Sequence, residues 1–240
     1  PVLDAATGTP TVNGNATDYA MRSYFGRANY NYKGKYLLES NLRYDGSSRF
    51  APEKRWGLFP SFSVGWRISE EDFWSKYKGT LRDMKLRASW GQLGNNGIGN
   101  YEWQNFYQSA AYSFNGTSVP AIAYTSLANK DITWETTDVF DAGIDIKLLD
   151  NFSATLDYYN KYTKGILANL PIPYVNGGIT SPRVNSAKLR NSGFEAEIRY
   201  NTNIGNLLIN LGVMGSYNKN EIVKYKGNYL EPHGVGVWTE

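Results

Sequence analysis

Long segments in which apolar and polar residues alternate recur along this chain, and this pattern constrains the fold most. The segment Tyr36–Asp45 shows it best. Because side chains of a strand alternate between its faces, one face carries Tyr36, Leu38, Leu42 and Tyr44 and the other carries Glu39, Asn41, Arg43 and Asp45. Soluble strands average about five to six residues, whereas a tilted membrane-crossing strand needs about nine to eleven. The pattern favours the wall of an outer-membrane β-barrel.

The same alternation predicts an all-β, antiparallel transmembrane wall of about eight strands. The predicted strands are Met21–Lys33, Lys35–Asp45, Leu58–Ile68, Met84–Gln92, Trp134–Leu148, Phe152–Thr163, Lys188–Tyr200 and Leu207–Asn218. Ser69 followed by Asp72 resembles a helix N-cap box, which predicts a short helix over Glu70–Tyr77. The stretches Gly94–Thr133 and Lys164–Val184 show no such pattern and are predicted to be irregular or loop.

Connections between the predicted strands alternate in length. Those near Gly34, Asp150 and Gly205 are short, and the one at Ser69–Arg82 is compact. Those beginning at Gly46, Gly94 and Lys164 and the one after Asn218 are long or glycine-rich. Outer-membrane barrels have short periplasmic turns and long outer loops. A soluble Tyr-rich β-sandwich, the main alternative fold, has no reason to segregate its connections in this way.

Composition narrows the function classes. A formal net charge of +3, with basic residues spread along 240 residues, gives no reason to expect a nucleic-acid partner. There is no Cys and one His, so no Cys-based metal site is available and no cofactor is expected. No run of about 18 apolar residues indicates a transmembrane helix. Pro1–Ala20 lacks the features of a signal peptide, from which we expect a piece of a longer exported chain.

Four blocks of this sequence resemble the SusC/RagA-type TonB-linked outer-membrane transporters. The blocks follow one another in the family's order and spacing, and together they account for most of the region 24–220. They are Leu42–Trp74, Leu81–Trp103, Trp134–Leu167 and Asn191–Asn201. The resemblance implies a 22-stranded barrel in the outer membrane of a Gram-negative bacterium, filled by an N-terminal plug and energised by the TonB complex. It also implies a SusD-type surface lipoprotein over the barrel mouth.

Within that family, residues 1–240 would form part of the β-barrel domain, without the plug and the remaining strands. The resemblance implies import of a bulky nutrient, oligosaccharides in the first place and oligopeptides in the second. A passive porin or an adhesin barrel is a further alternative. Outer-membrane lipid would surround the wall.

Candidate chemical sites are few, and we expect no enzyme activity. Acidic pairs such as Asp141/Asp145, at i, i+4, and Glu195/Glu197, at i, i+2, each lie on one strand face. Glycosidases use two carboxylates, but a hydrated wall with basic neighbours gives no reason for one raised pKa. His233 lacks partners for a triad or a zinc site. The Gly-rich stretch Gly94–Asn100 has the wrong spacing for a phosphate-binding loop. No catalytic residue and no metal ligand is therefore predicted.

An aromatic-rich outer segment is the candidate substrate-binding region. Its aromatic residues lie outside every predicted strand: Tyr101, Trp103, Phe106, Tyr107, Tyr112 and Phe114, with Tyr124 further on. Aromatic rings stack on sugar rings and also pack against apolar peptide side chains. Three roles stay open for this segment, namely substrate contact, packing of the loop on itself, and contact with the lipoprotein lid, since Tyr and Trp are also enriched at protein interfaces.

Overall fold

The computed structural model describes residues 14, 16–169, 172–173, 175 and 179–225. Ten antiparallel strands make up almost all of its regular structure. They are β1 (Met21–Tyr32), β2 (Tyr36–Ser47), β3 (Trp56–Arg67), β4 (Leu81–Asn95), β5 (Phe106–Phe114), β6 (Thr117–Ser126), β7 (Glu135–Leu148), β8 (Phe152–Asn169), β9 (Arg183–Ile204) and β10 (Leu207–Tyr225). Among the described residues, no helix is long and apolar enough to cross a membrane.

Eight of these strands form one sheet in the order β1-β2-β3-β4-β7-β8-β9-β10. Every neighbouring pair is antiparallel, so the predicted all-β fold class and the eight predicted wall strands are confirmed. The short connections lie at one end of the sheet, here called the short-turn end, and the long ones lie at the other, the long-loop end. Strands β5 and β6 form a separate hairpin between β4 and β7.

Strands β8, β9 and β10 are longer than the alternation predicts. The predicted loop Lys164–Val184 gives way to strand up to Asn169 and again from Arg183. The register shifts by bulges between Lys164 and Leu167. A bulge interrupts the side-chain alternation while the strand continues, so the sequence pattern ends before the strand does.

The predicted helix Glu70–Tyr77 is wrong in type. Two short 3-10 turns occupy this connection, Ile68–Glu70 and Asp72–Lys76. Neither has a side-chain N-cap hydrogen bond, because the Ser69 hydroxyl instead donates to a carboxylate oxygen of Asp83 at 2.5 Å. A bond to the start of β4 therefore replaces the expected helix cap.

One face of the eight-stranded sheet is a continuous apolar band. Backbone pairing places apolar side chains of consecutive strands side by side in a row of Val64, Ala88, Ala142, Tyr158 and Phe194. Many members are well exposed, for example Phe62 at 52% and Leu156 at 47%. A contiguous apolar surface of this size indicates a lipid-facing or otherwise covered surface.

The height of the band matches a bilayer. On β9 its exposed apolar residues run from Phe194 to Ile204, and on β10 from Leu207 to Tyr217. Ten residues at about 3.4 Å each and a tilt of about 40° correspond to about 26 Å along the barrel axis. The outer apolar band of membrane barrels is about 25 Å tall, so the sheet fits a membrane wall.

Aromatic residues mark both edges of the band on β1–β3. Near the long-loop end, Trp56 stacks between Tyr24 and Tyr44, with ring centroids 6.0 and 4.7 Å apart. Near the short-turn end, Tyr36 stacks between Tyr32 and Trp66 at 6.4 and 6.5 Å. Amphipathic rings prefer the boundary between lipid and water, and these two rows lie where such boundaries are expected.

A hydrogen-bond network around Glu71 closes the short-turn end. Its carboxylate accepts bonds from the Tyr36 hydroxyl (2.7 Å), the Trp66 indole (3.1 Å) and the Lys35 ammonium (3.1 Å). These bonds lower the pKa of Glu71 from 4.5 to about 2, the bond from Tyr36 having the largest effect. The carboxylate thus connects the β1–β2 turn to the β3–β4 connection.

The Glu71 network predicts acid-sensitive stability. A lowered folded-state pKa stabilises the protein above the unfolded-state pKa, and this contribution disappears as the pH falls from about 4.5 towards 2. In the full-length protein we expect Glu71→Gln to be less stable at pH 7 and to lose less stability on acidification than the wild type. Urea unfolding between pH 7 and pH 2 measures this difference, and parallel pH profiles for the two proteins would contradict it.

Candidate functional site

The aromatic segment predicted to be irregular forms the β5–β6 hairpin. The prediction that its rings lie outside any strand is wrong for Phe106, Tyr107, Tyr112 and Phe114, which belong to β5, and for Tyr124 in β6. Asn115 and Gly116 form the turn, with φ of 49° and 80°. An Asn-Gly pair between two apolar runs is the strongest short-range hairpin signal. That signal was available in the sequence and marks this hairpin.

The hairpin divides the candidate aromatic residues between its two faces. Tyr107 pairs with Tyr124 across the strands, their ring centroids 4.7 Å apart. Tyr112 and Phe114 lie two residues apart on the opposite face, at 5.3 Å. These rings are 50–67% exposed, whereas Phe106 is 40% exposed at the base of the hairpin. The structure therefore builds two aromatic pairs, not one cluster of six.

Tyr101 and Trp103 lie before the hairpin and are half-buried. The Tyr101 hydroxyl donates to the Asp18 carboxylate, and this bond raises the pKa of Tyr101 above its usual value. Tyr101 also has a positive φ of 65°. Within the described part of the chain the buried indole N–H of Trp103 has no hydrogen-bond acceptor. Tyr101 thus fixes the loop to the segment before β1, and only Trp103 retains an unused donor.

Absence of charge distinguishes this segment from the rest of the chain. The 27 residues from Trp103 to Asn129 contain no Asp, Glu, Lys or Arg, although 20% of the whole chain is charged. Tyr, Ser, Asn and Ala predominate instead, which resembles the composition of antibody binding loops. The hairpin therefore exposes rings, hydroxyls and amides, and no formal charge.

Three contacts hold the hairpin at the long-loop end. Ser126 bridges to Thr180 in the connection after β8, and the Thr180 amide donates to the Thr125 carbonyl at 3.0 Å. The Asn129 side chain donates to the Arg183 carbonyl at 2.6 Å. An isolated two-stranded hairpin is marginally stable in water, so these anchors are important for its stability.

A buried apolar cluster, which the sequence analysis missed, supports the base of the outer loops. This mouth cluster consists of Phe50, Phe59, Ile98, Ile132 and Trp134, with Leu167 packed against it. The Trp134 ring lies 5.2 Å from Phe50 and 5.3 Å from Phe59, and its indole N–H donates to the Arg55 carbonyl at 3.0 Å. The cluster joins two long connections to β3, and we expect it to support the base of the hairpin.

Glycine makes room for the Phe59 ring within that cluster. A Cβ at Gly94 or at Gly57 would collide with the ring of Phe59. Asn185 of β9 connects the segment before β7 to the wall. Its side-chain amide donates to the carbonyls of Thr133 (3.0 Å) and Gly165 (2.7 Å), and its side-chain oxygen accepts from the Thr133 backbone amide. The outer loops are thus anchored at both ends.

The polar face of the sheet carries an ion-pair network centred on Arg87. Its guanidinium contacts Asp141 and Asp145 at 3.3 Å and Asp157 at 2.5 Å. It lies across Gly143, where a Cβ would come within 2.7 Å of the Arg87 Cζ. The acidic pair Asp141/Asp145 thus shares one cation, an arrangement unlike the acid and base carboxylates of a glycosidase.

Neither a metal centre nor a histidine site is found in the described residues. No group of three His, Cys, Asp or Glu side chains in residues 14, 16–169, 172–173, 175 and 179–225 is arranged to hold a metal ion. His233 lies outside the described residues.

An antiparallel sheet of long strands with an apolar band on one face and charged residues on the other is typical of the wall of an outer-membrane β-barrel. The chain belongs to the TonB-dependent receptor-like β-barrel family, whose model matches residues 2–240. The resemblance seen in the sequence is thereby confirmed, as is location in the outer membrane of a Gram-negative bacterium.

Curated relatives support this assignment. TonB-dependent receptor P39 of Formosa agariphila is 39% identical over 189 residues, which cover 78% of this chain and 18% of that protein. TonB-dependent receptor SusC of Bacteroides thetaiotaomicron is 34% identical over 221 residues, 88% of this chain and 22% of that protein. The chain spans about a fifth of the length of the curated relatives it matches.

Solved structures give the same result. The RagAB peptide importer in its closed-closed state superposes with a TM-score of 0.77 at 26% identity, covering 89% of this chain and 24% of that one. In its open-open state the TM-score is 0.79, again at 26% identity, covering 89% and 23%. The wall described here is thus similar in backbone to part of a known transporter barrel.

Proposed function

We propose that the protein containing this chain imports a bulky nutrient across the outer membrane in a TonB-dependent manner, together with a SusD-type surface lipoprotein. The proposed substrates are oligosaccharides. The observation that carries this proposal is the uncharged, aromatic β5–β6 hairpin at the long-loop end. In this proposal the chain supplies wall and outer loops and performs no catalysis.

The chemistry of the hairpin favours a neutral sugar. Tyr112 and Phe114 are 61% and 67% exposed, so their ring faces are available for stacking on a sugar ring. Gln108 is exposed on the same face, and Ser109 and Ser113 are exposed on the face of Tyr107. Amides and hydroxyls both donate and accept hydrogen bonds. No charged side chain of the hairpin would have to lose water when a neutral ligand binds.

An oligopeptide importer is the second candidate. It is supported by the similarity to RagAB, which is described as a peptide importer. Exposed apolar side chains on the hairpin, such as Ile122 at 77%, suit peptide side chains and also suit a lipoprotein lid. A passive porin or adhesin differs from both importers in needing no TonB, so uptake by cells with and without TonB separates these classes.

Tyr112→Ala tests the proposed sugar contact. We expect full-length protein with its lid to bind a mixture of neutral oligosaccharides, and we expect the variant to bind them about five- to tenfold more weakly, because an aromatic contact contributes about 1 kcal/mol. Trp103→Ala should weaken binding too if its unused indole donor reaches the ligand. Isothermal titration with oligosaccharide and oligopeptide mixtures measures both effects.

Phe73→Ala is the matched control, because Phe73 is an equally exposed ring (58%) at the short-turn end. It should leave affinity unchanged. Binding of peptides but not of sugars would transfer the substrate assignment to oligopeptides. If sugar affinity is unchanged in both the Tyr112 and the Trp103 variant, the role of the hairpin is loop packing or contact with the lipoprotein lid.

A further inference from the structure

Three lysines lie directly opposite one another on β8, β9 and β10. The register pairs Lys164 with Lys188, and Lys188 with Lys224 across a bulge at Val223. Arg190, two residues along β9, lies on the same face and pairs with Tyr162 and Glu221. Like charges directly opposite one another destabilise a sheet. A bound anion that is not part of the sheet would therefore stabilise a row of this kind.

This basic patch, defined as Lys164, Lys188, Arg190, Lys219 and Lys224, lies on the lipid-facing side of the wall. Uninterrupted alternation along β8 and β9 puts Lys164 on the face of Tyr158 and puts Lys188 and Arg190 on the face of Phe194. The rings of Tyr158 and Phe194 pack with their centroids 4.9 Å apart and form the upper edge of the apolar band. The patch thus continues the lipid-facing surface towards the long-loop end.

The height of the patch fits the headgroup region of the outer leaflet. Its members lie two to six residues above the level of Phe194 and Tyr217. At about 3.4 Å per residue and a tilt of about 40°, this corresponds to about 5–15 Å above the apolar band. Polar headgroups begin directly outside the hydrocarbon region.

Internal acidic partners neutralise the patch only in part. Lys164 forms an ion pair with Asp138, which also accepts a bond from Gln92 at 2.8 Å. Glu221 is the second acidic residue on this face, against five basic ones. Strands β8 and β9 are flanked on both sides by described strands, so the surroundings of Lys188 and Arg190 within the sheet are complete.

The ring of Tyr162 holds two of the cations in place. The Lys188 ammonium lies 4.6 Å from the ring centroid and the Arg190 guanidinium lies 5.5 Å from it. The Arg190 Nε donates to the Asn160 side chain at 3.1 Å, which leaves the other guanidinium nitrogens available. Arg and Lys held at fixed positions are the usual groups that bind phosphate oxygens.

We propose that this basic patch is a binding site for the phosphate-bearing headgroup of an outer-leaflet lipid. Lys188, Arg190 and Lys224 supply the positive charge, and the Tyr158–Phe194 pair below them contacts the acyl chains. The site is separate from the proposed substrate hairpin and does not depend on the substrate being a sugar. Its role is to hold a particular lipid against the barrel wall.

The test compares two triple variants of the full-length protein in detergent. Lys188→Gln/Arg190→Gln/Lys224→Gln removes three charges from the patch, and Lys33→Gln/Lys76→Gln/Lys78→Gln removes three exposed charges at the short-turn end. The probes are phosphorylated lipid A, the same lipid A after dephosphorylation, and inorganic phosphate. Native mass spectrometry measures the bound lipid, and resistance of the folded barrel to heat in gels confirms folding.

We expect the patch variant to bind phosphorylated lipid A about a hundredfold more weakly than the wild type, since each basic residue near an anionic surface contributes about fivefold. The control variant should bind like the wild type, and dephosphorylated lipid A should bind weakly to all three proteins. If the patch variant does not fold, Lys224→Gln alone should lower affinity about fivefold, since this residue is exposed.

Two results would overturn the proposal. Equal losses of lipid A affinity in the patch and control variants would mean that binding depends only on the net charge of the protein. Inorganic phosphate that competes fully with lipid A at comparable concentration would make the site a free-phosphate site and remove the lipid assignment.

Discussion

Leu156→Arg should destabilise the full-length barrel by about 1–3 kcal/mol, between the costs of a basic residue at the interface and at the midplane of membrane barrels, because Leu156 is the next lipid-facing residue below Tyr158 at the edge of the apolar band. Leu156 lies within the apolar band between Ile144 and Ala196 and is 47% exposed. An Arg at this position would face hydrocarbon with no acidic neighbour on the same face at its level. Urea unfolding of the protein in lipid vesicles, followed by tryptophan fluorescence, measures this change.

Thr155→Arg is the matched control, because it adds the same side chain one residue earlier on the opposite face. Thr155 pairs with Asp145 and Glu197, and its hydroxyl donates to Asp145 at 3.3 Å. We expect stability to change by less than about 1 kcal/mol there, since an Arg beside two carboxylates on a hydrated face gains ion pairs. Equal losses for the two variants would show that the assignment of the faces is wrong.

The contrast between these two positions explains why the wall could be predicted from the sequence. Where lipid covers one face of a strand and water the other, the hydropathy of each residue indicates the face on which it lies. Leu156 is apolar and faces lipid, whereas Thr155 is polar and faces water. Beyond the band both faces are polar. The end of β8 from Lys164 onward and the start of β9 before Lys188 therefore show no hydropathy alternation. The sequence pattern does not predict strand there, although the structure continues the ladder through both segments.

The β5–β6 hairpin was not predicted, because neither of its faces is uniformly apolar or uniformly polar. Both of its faces mix small, polar and aromatic residues, as in Ala110–Ala111 and at Ser113 beside Phe114. Neither the two-residue period of a strand nor the 3.6-residue period of a helix is therefore visible in its sequence. The sequence did locate the aromatic residues at the long-loop end. It could not show that Tyr107 and Tyr112 point to opposite faces, since this depends on strand formation.

The mouth cluster could not be found by any local pattern. Phe50 lies in a turn-rich loop and Ile132 in an irregular segment far away in the sequence, yet both are almost fully buried. Only the pairing of distant strands in the sheet brings their connections together. Contacts of this type depend on the register of β3, β4 and β7, which local periodicity does not determine.

Trp134→Ala should cost about 3–5 kcal/mol, because truncation of a buried Trp removes its packing and leaves a cavity. Trp134 is 8% exposed and contacts Phe50 and Phe59. Its loss also leaves the Arg55 carbonyl without the indole donor that it accepts from at 3.0 Å. Because this ring joins two long connections, we expect their backbone amides, in regions 48–55 and 96–133, to exchange hydrogen faster in the variant.

Hydrogen exchange with mass spectrometry on the full-length protein resolves this effect by region. Trp90→Ala is the control, since Trp90 is 39% exposed on the lipid-facing band, and its loss should leave both connections as protected as in the wild type. Trp134→Phe keeps a ring but removes the donor, and should cost about 1 kcal/mol. Unchanged exchange in both connections of Trp134→Ala would show that the outer loops are held by their hydrogen bonds to the wall, such as those of Asn185, and that the mouth cluster does not support the hairpin.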